Sequence, residues 1–234
     1  MTPLRARSRP VWLFDLDNTL HNASHAAFGE VSQGMGEYIM RHLGMTQAES
    51  DALRRRYWSR YGATLLGLIR HHAVDAHHFL AETHALPGLE ARVHSHKHDL
   101  AALRRLPGRK VILTNAPRRY TERVLSALGI ARLFDEVIAI EDLRMFGHWR
   151  PKPDVRMMRA LLAQLQVPAG RCVLVEDSLE NQKAAHRLGI GTVWMLRWMR
   201  EATWGGAAAT RTTMQPAYVD RRVRSLASLA RGRR

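Results

Sequence analysis

The sequence predicts an α/β protein: a doubly wound parallel sheet with a small helical segment inserted after its first strand. Three observations predict it. After residue 95, short apolar runs alternate with helical patterns, namely KVILTN (110–115), EVIAI (136–140), RCVLVED (171–177) and GTVWML (191–196). Such nearly all-apolar strands belong to a parallel sheet covered by helices on both faces. Between residues 22 and 90, directly after a first strand at Val11–Asp15, there are helical patterns and no convincing strand.

The elements follow in order. The first strand runs into FDLDNTL, which carries Asp15, Asp17 and Thr19, and neither acid has a basic neighbour close by in sequence. The helical insert closes at Pro87 and Gly88, so a cap over 21–90 separates two parts of a Rossmann-like core, 1–20 and 91–234. The second strand ends in Thr114 and Asn115. YTERVLSALG then places Val124, Leu125 and Leu128 on one helix face and stops at Gly129, a C-capping glycine. KPDVRMMRALLAQLQV repeats Val155, Met158, Leu161, Leu162 and Leu165 at helical spacing, with Pro153 and Asp154 at its start. Residues 202–216 read as a loop, and AYVDRRVRSLASLA as a last short strand and helix.

Composition excludes several classes. With 234 residues, 46% of them hydrophobic, the chain can build a sizeable core and is not a disordered one. Its single cysteine, Cys172, provides no disulfide framework, suits a reducing compartment and reads as a core residue inside an apolar strand. No apolar run approaches the ~20 residues that span a bilayer, and MTPLRARSRP lacks the apolar stretch of a secretory signal. A cytoplasmic location without a membrane partner is the expectation. The net charge of +15 raises the question of nucleic acid. The basic residues are mostly scattered arginines, and no aromatic stacking platform accompanies them. Their local excess is in the tail, where residues 197–234 hold nine arginines against Glu201 and Asp220. Nucleic acid is therefore not the expected main partner, although the tail could engage a polyanion. A positive field also attracts phosphorylated small molecules.

In a parallel sheet, ligands bind outside the carboxyl ends of the strands. The residues there are Asp15 and Asp17 after the first strand, Thr114 and Asn115 after the second, Lys152 in RPKP after the third, and Glu176, Asp177 and Ser178 after the fourth. Carboxylates at i and i+2 on extended backbone point to the same side, and such close like charges need compensation. Oxygen ligands suit Mg²⁺, which takes one or two carboxylates together with water and phosphate oxygens. Asp177 beside Asp15 would supply that pair, with Lys152 and Thr114 on the remaining phosphate oxygens. One aspartate can then attack phosphorus, and Asp17 can protonate the leaving oxygen and later activate water. Each element alone has an ordinary structural reading: a turn, a helix cap or a solvated lysine. Their coincidence, in order and after the right strands, removes it.

At this point the sequence resembles the haloacid dehalogenase superfamily, whose pattern is matched by DLDNT, LTNA, RPKPD and VEDSLEN over essentially the whole chain. The resemblance implies a Rossmann-like sheet with a cap after the first strand. It makes Asp15 the nucleophile and a Mg²⁺ ligand. Asp17 becomes the general acid/base, with its backbone carbonyl also on the metal. Thr114 and Lys152 become phosphate ligands, Asn115 contributes its backbone or amide near the phosphate, and Asp177 becomes a metal ligand, with Glu176 less certainly one. An acid at position 17 disfavours the carbon–halogen dehalogenases and the P-type ATPases. FDLDNTLH, LTNAPRRY and the insert YWSRYGATLLGLIRHHAVDAHHF look like the pyrimidine 5′-nucleotidase branch. That implies hydrolysis of UMP- or CMP-type nucleoside monophosphates, with Tyr57, Trp58, Tyr61 and His72 as candidate cap contacts. Aromatics there could stack on a base or simply pack the cap. The alternatives are a phosphatase of phosphoglycolate or a sugar phosphate, or a phosphomutase. His71, His72, His77 and His78, like His94, His96 and His98, suggest metal sites but read as solvated or capping side chains, since carboxylate Mg²⁺ chemistry does not need them.

Overall fold

The computed structural model describes residues 9–198 and 215–229. The expected loop over 202–216 and the last arginines of the tail fall almost wholly outside these described residues. In chain order the elements are β1 (Val11–Phe14), α1 (Ala23–Ala26), α2 (Phe28–Leu43), α3 (Gln47–Tyr61), α4 (Thr64–His72), α5 (Ala76–Thr83), α6 (Leu89–Arg92), α7 (Lys97–Arg105), β2 (Arg109–Leu113), α8 (Arg118–Ala127), β3 (Glu136–Ile138), β4 (Arg144–Met145), β5 (His148–Trp149), α9 (Val155–Gln164), β6 (Cys172–Glu176), α10 (Leu179–His186), β7 (Gly191–Met195) and β8 (Arg221–Val223).

Six of these strands form one sheet in the order β3-β2-β1-β6-β7-β8, every neighbouring pair parallel. Strand alternation sends Trp12 and Phe14 to one face, where Leu103 of α7 and Val124 and Leu125 of α8 cover them. Val11 and Leu13 face the other way, against Met158 and Leu161 of α9 and Ala184 and Ala185 of α10. Both faces are thus buried, which is why the strands read as continuous apolar runs. The α/β class and the parallel sheet are as the sequence predicts. No helix among the described residues is long and apolar enough to cross a membrane.

Helices α2 to α5 bury a cluster of their own: Tyr38 and Ile39, Leu53 and Tyr57, Leu65 and Leu68, Phe79 and Leu80. Side-chain caps set their limits. Thr46 and Glu49 form a reciprocal capping box at the start of α3, and Asp75 accepts from the His78 N–H at the start of α5. The ends of this segment belong to the sheet side, where Leu20, Ala26, Ala27 and Val31 pack with Leu86 and Leu89.

Three local expectations change. The EVIAI strand stops at Ile138, and Ile140–Asp142 turns into a 3₁₀ segment. The expected terminal helix is a single 3₁₀ turn, Leu226–Ser228. Between β3 and Lys152 lies an unexpected hairpin, β4–β5, whose turn residues Phe146 and Gly147 have φ of 50° and 77°. Two left-handed residues make the turn that matches strand twist, but that turn ordinarily carries Asn or Asp before Gly. Phenylalanine there gave no hairpin signal.

Candidate active site

Register brings the site together. Phe14 pairs with Ile112 of β2 on one side and with Val175 of β6 on the other. The next residues outward, Asp15 and Glu176, therefore leave the sheet side by side, and Thr114 leaves one step beyond β2. Asp15 N–H donates to the Val175 carbonyl at 3.0 Å, and Thr114 N–H to the Ile138 carbonyl at 3.0 Å. Gln182 of α10 donates to the carbonyls of Glu176 (2.9 Å) and Val193 (2.7 Å), tying the end of β6 to its neighbour.

Lys152 is the hub. Its Nζ donates to Asp15 Oδ1 at 2.7 Å and to Glu176 Oε2 at 2.7 Å, all three side chains being buried. Burial alone would lower the ammonium's pKa, but the Asp15 and Glu176 carboxylates outweigh it and hold Lys152 above its ordinary value. The other Glu176 oxygen accepts the Ser178 N–H at 3.2 Å. Thr114 Oγ1 accepts from the Ala116 N–H at 3.0 Å, which leaves its hydroxyl proton to donate. The side chain of Asn115 holds the backbone of Lys152: its Nδ2 donates to the Lys152 carbonyl (2.9 Å) and its Oδ1 accepts the Lys152 N–H (2.8 Å). The amide is committed to placing the lysine.

Carboxylate oxygens of Asp15, Glu176 and Asp177 all lie within 4.8 Å of one another. One lysine does not balance them. Burial, and then the Glu176 charge, push Asp15 up to about 7, and the same two causes push Asp177 well above the usual carboxylate range. An oxygen-only donor set with uncompensated negative charge fits a hard divalent cation such as Mg²⁺.

Asp17 sits apart from this cluster. Asn18 adopts the left-handed conformation (φ 54°), and its amide pairs with Ser24 through both its oxygen and its nitrogen, at 3.0 and 2.9 Å. That turn sends Asp17 Oδ1 to the Tyr120 hydroxyl, which donates at 2.7 Å, and to within 3.0 Å of His21 Nε2. In the sequence neither acid has a basic residue close beside it. His21, four residues on and fully buried, is that neighbour for Asp17, and the i,i+4 spacing was a signal for it. Tyr120 closes the LTNAPRRY stretch but carried no assigned role. Burial, then the charge of Asp17, raise its phenol well above the ordinary value. Behind them, burial holds the His84 imidazole down to about 4, with its ring edge-on to Tyr120.

The cap candidates form a separate group. Tyr57 is 3% exposed and lies over Gly67, where a Cβ would meet its Cγ at 2.2 Å. Its hydroxyl is 2.9 Å from His72 Nε2, and the Tyr61 hydroxyl is 2.6 Å from His71 Nε2. Trp58 is 55% exposed. Tyr57 and His72 therefore meet where α3 packs on α4, and Tyr57 presents no free ring face for a base.

Comparison with known proteins gives the family and the fold. The family model described as haloacid dehalogenase-like hydrolase matches residues 11–189. "Phosphate metabolism protein 8" of Saccharomyces cerevisiae is 24% identical over 200 residues, covering 80% of this chain but only 61% of the yeast protein. The chain thus spans about three fifths of that relative's length. "Validoxylamine A 7′-phosphate phosphatase" of Streptomyces hygroscopicus subsp. limoneus is 29% identical over 190 residues, 77% of this chain and 82% of that protein. Among solved structures, a HAD phosphatase from Thermococcus onnurineus superposes with a TM-score of 0.62 at 19% identity, covering 95% of this chain and 96% of the other.

Proposed function

The chain belongs to the haloacid dehalogenase-like hydrolases, and on that premise we propose that it hydrolyses phosphate monoesters through an aspartyl-phosphate on Asp15. The observation that carries the reading is the division of labour between two acids two residues apart. Asp15 is held by Lys152 at 2.7 Å within the acidic cluster, whereas Asp17 is held by Tyr120 at 2.7 Å outside it. This division supports Asp15 as the attacking group and Asp17 as the proton carrier.

In this proposal the phosphate sits against Lys152 and the Thr114 hydroxyl. Asp15 Oδ attacks phosphorus, the bond to the leaving oxygen breaks, and that oxygen takes a proton from Asp17. Asp17, now a carboxylate, accepts a proton from the water that attacks the phospho-aspartate. The P–O bond to Asp15 then breaks, releasing inorganic phosphate and returning Asp15 as the carboxylate and Asp17 as the protonated acid. Lys152 offsets charge on the transferring group. Mg²⁺ would be held by Asp15, Asp177 and the Asp17 backbone carbonyl, and it supplies further charge neutralisation at the phosphoryl oxygens. Glu176, with its oxygens on Lys152 and on the Ser178 N–H, acts as the lysine's holder rather than as a ligand.

Residues 21–90 serve as a cap, its shared core in α2 to α5 and its two ends anchored on the sheet side. Nucleoside monophosphates such as UMP and CMP are the first substrates to try, as the insert pattern suggests. The burial of Tyr57 favours a second reading, a phosphatase of another small metabolite, in line with the name of the Streptomyces relative. The test is Mg²⁺-dependent phosphate release across nucleotides, sugar phosphates and phosphoglycolate. The expected result is turnover of at least one class, a loss of at least about 10³-fold in Asp15→Asn, and an unchanged circular dichroism spectrum. A variant as active as the parent would overturn the mechanism.

A further inference from the structure

On the helical segment, distant in sequence from the acidic cluster, three side chains converge. His42 lies in the last turn of α2, and His78 and Glu82 lie one turn apart on α5. His78 Nε2 is 2.9 Å from Glu82 Oε1, and His42 Nε2 is 3.3 Å from the same oxygen. Ligand atoms of all three lie within 4.8 Å of one another, and all three residues are open to solvent.

We propose that His42, His78 and Glu82 form a binding site for a zinc-class divalent cation that staples α2 to α5. Both imidazoles turn the same atom, Nε2, toward the Glu82 carboxylate, His78 onto Oε1 and His42 3.3 Å from each of its two oxygens. Their rings stand at 84° to each other with centroids 5.2 Å apart, so the two nitrogens approach from different directions. Tetrahedral zinc with bonds of about 2.0–2.1 Å holds its ligand atoms about 3.3 Å apart. The two imidazole-to-carboxylate separations of 2.9 and 3.3 Å are close to this, and the two imidazole nitrogens lie within 4.8 Å of each other, so binding would draw the rings together.

The surroundings hold the rings in place. Tyr38, itself buried, places its hydroxyl 3.1 Å from His78 Nδ1 and its ring 4.3 Å from that of His42. With Nε2 on a metal, His78 carries its proton on Nδ1 and donates it to the phenol oxygen, the outer partner that a ligating histidine ordinarily has. Arg41 reaches Glu82 Oε2 at 3.2 Å, which leaves Oε1 for the cation. The fourth position falls to water. Imidazole with carboxylate suits Zn²⁺ and the neighbouring transition metals, not Mg²⁺, so this site and the acidic cluster select different ions. Of the histidine runs in the sequence, only His78 takes part. His77, next to it, instead lies against Trp149, 5.3 Å between ring centroids.

The test is equilibrium dialysis of the full chain against Zn²⁺ in excess Mg²⁺, which covers the acidic cluster. One zinc per chain is expected. His42→Ala and His78→Ala should each weaken binding at least ten-fold, and His77→Ala should leave it unchanged. Zinc at about 100 times Kd should raise Tm by roughly 5–10 °C in the parent and not in His42→Ala. Should the alanine variants fold poorly, zinc K-edge absorption on the unaltered protein decides: two imidazoles in the shell support the site, and one or none overturns it. Binding that persists in both histidine variants, or no stoichiometric binding at all, leaves only a hydrogen-bonded triad and overturns the proposal.

Discussion

Asn115 grips the backbone of Lys152 from both sides, donating to its carbonyl at 2.9 Å and accepting its N–H at 2.8 Å. The two residues are 37 positions apart, and the pair joins the end of β2 to the loop after the β4–β5 hairpin. The Asn115 amide is thus spent on positioning Lys152, which leaves the backbone of Asn115 as its expected contribution near a phosphate. Asn115→Ala frees this loop, and an error of about 1 Å at a reacting centre costs about 10²-fold in rate. The expected outcome is a kcat about 10²-fold lower with native circular dichroism. A kcat within two-fold of the parent would remove Asn115 from the machinery.

Tyr120 donates to Asp17 at 2.7 Å, with His21 on the same oxygen at 3.0 Å. Tyr120→Phe deletes the donor while keeping the ring packed. A hydrogen bond to a charged group contributes about 1.5–3 kcal/mol, so kcat should fall roughly ten-fold or more. Because the hydroxyl orients the proton donor and not the phosphate, KM should stay close to its parent value. A rise in KM at constant kcat would move Tyr120 from orienting the acid to binding substrate.

Gly67 has no room for a side chain, since its Cβ would fall 2.2 Å from Tyr57 Cγ. Gly67→Ala gains about 1 kcal/mol of helix propensity but overpacks the α3–α4 contact at a cost of about 1–3 kcal/mol, for a net loss of up to about 2 kcal/mol in urea denaturation. Tyr57→Phe keeps the packing and loses only the His72 contact, so activity should be nearly unchanged. A large loss of activity at normal stability would instead return Tyr57 to the substrate.

The His84 imidazole is half-buried, and desolvation holds its pKa down to about 4. The unfolded chain takes up its proton near pH 6.5, the folded one only near 4, so stability falls as pH drops through this window. Between pH 7.5 and 5 the loss attributable to His84 is on the order of 2 kcal/mol. Urea melts at the two pH values, compared with those of His84→Gln, isolate it. Parallel profiles for the two proteins would mean that His84 titrates normally.

Much of this was legible in the sequence, and the reason is locality. Runs of apolar residues, the Asp154 and Ser178 caps and the polar residues that follow the strands depend on neighbours within a few positions. They suffice for an α/β class with a parallel sheet, and for recognising Asp15, Asp17, Thr114, Lys152, Glu176 and Asp177 as one edge. What those residues do to one another was decided elsewhere. Tyr120 meets Asp17 across 103 positions and Lys152 meets Asp15 across 137. Such pairings follow from the register of β1 against β2 and β6 and from which way α8 turns its face, and no local pattern encodes either. The same holds on the helical segment, where Tyr57 turned inward over a glycine and His42 came to face His78 and Glu82 only once α2 packed on α5. Local chemistry determined which side chains stand at the sheet edge. Tertiary packing decided which of them are buried, which are paired, and therefore what charge each one carries.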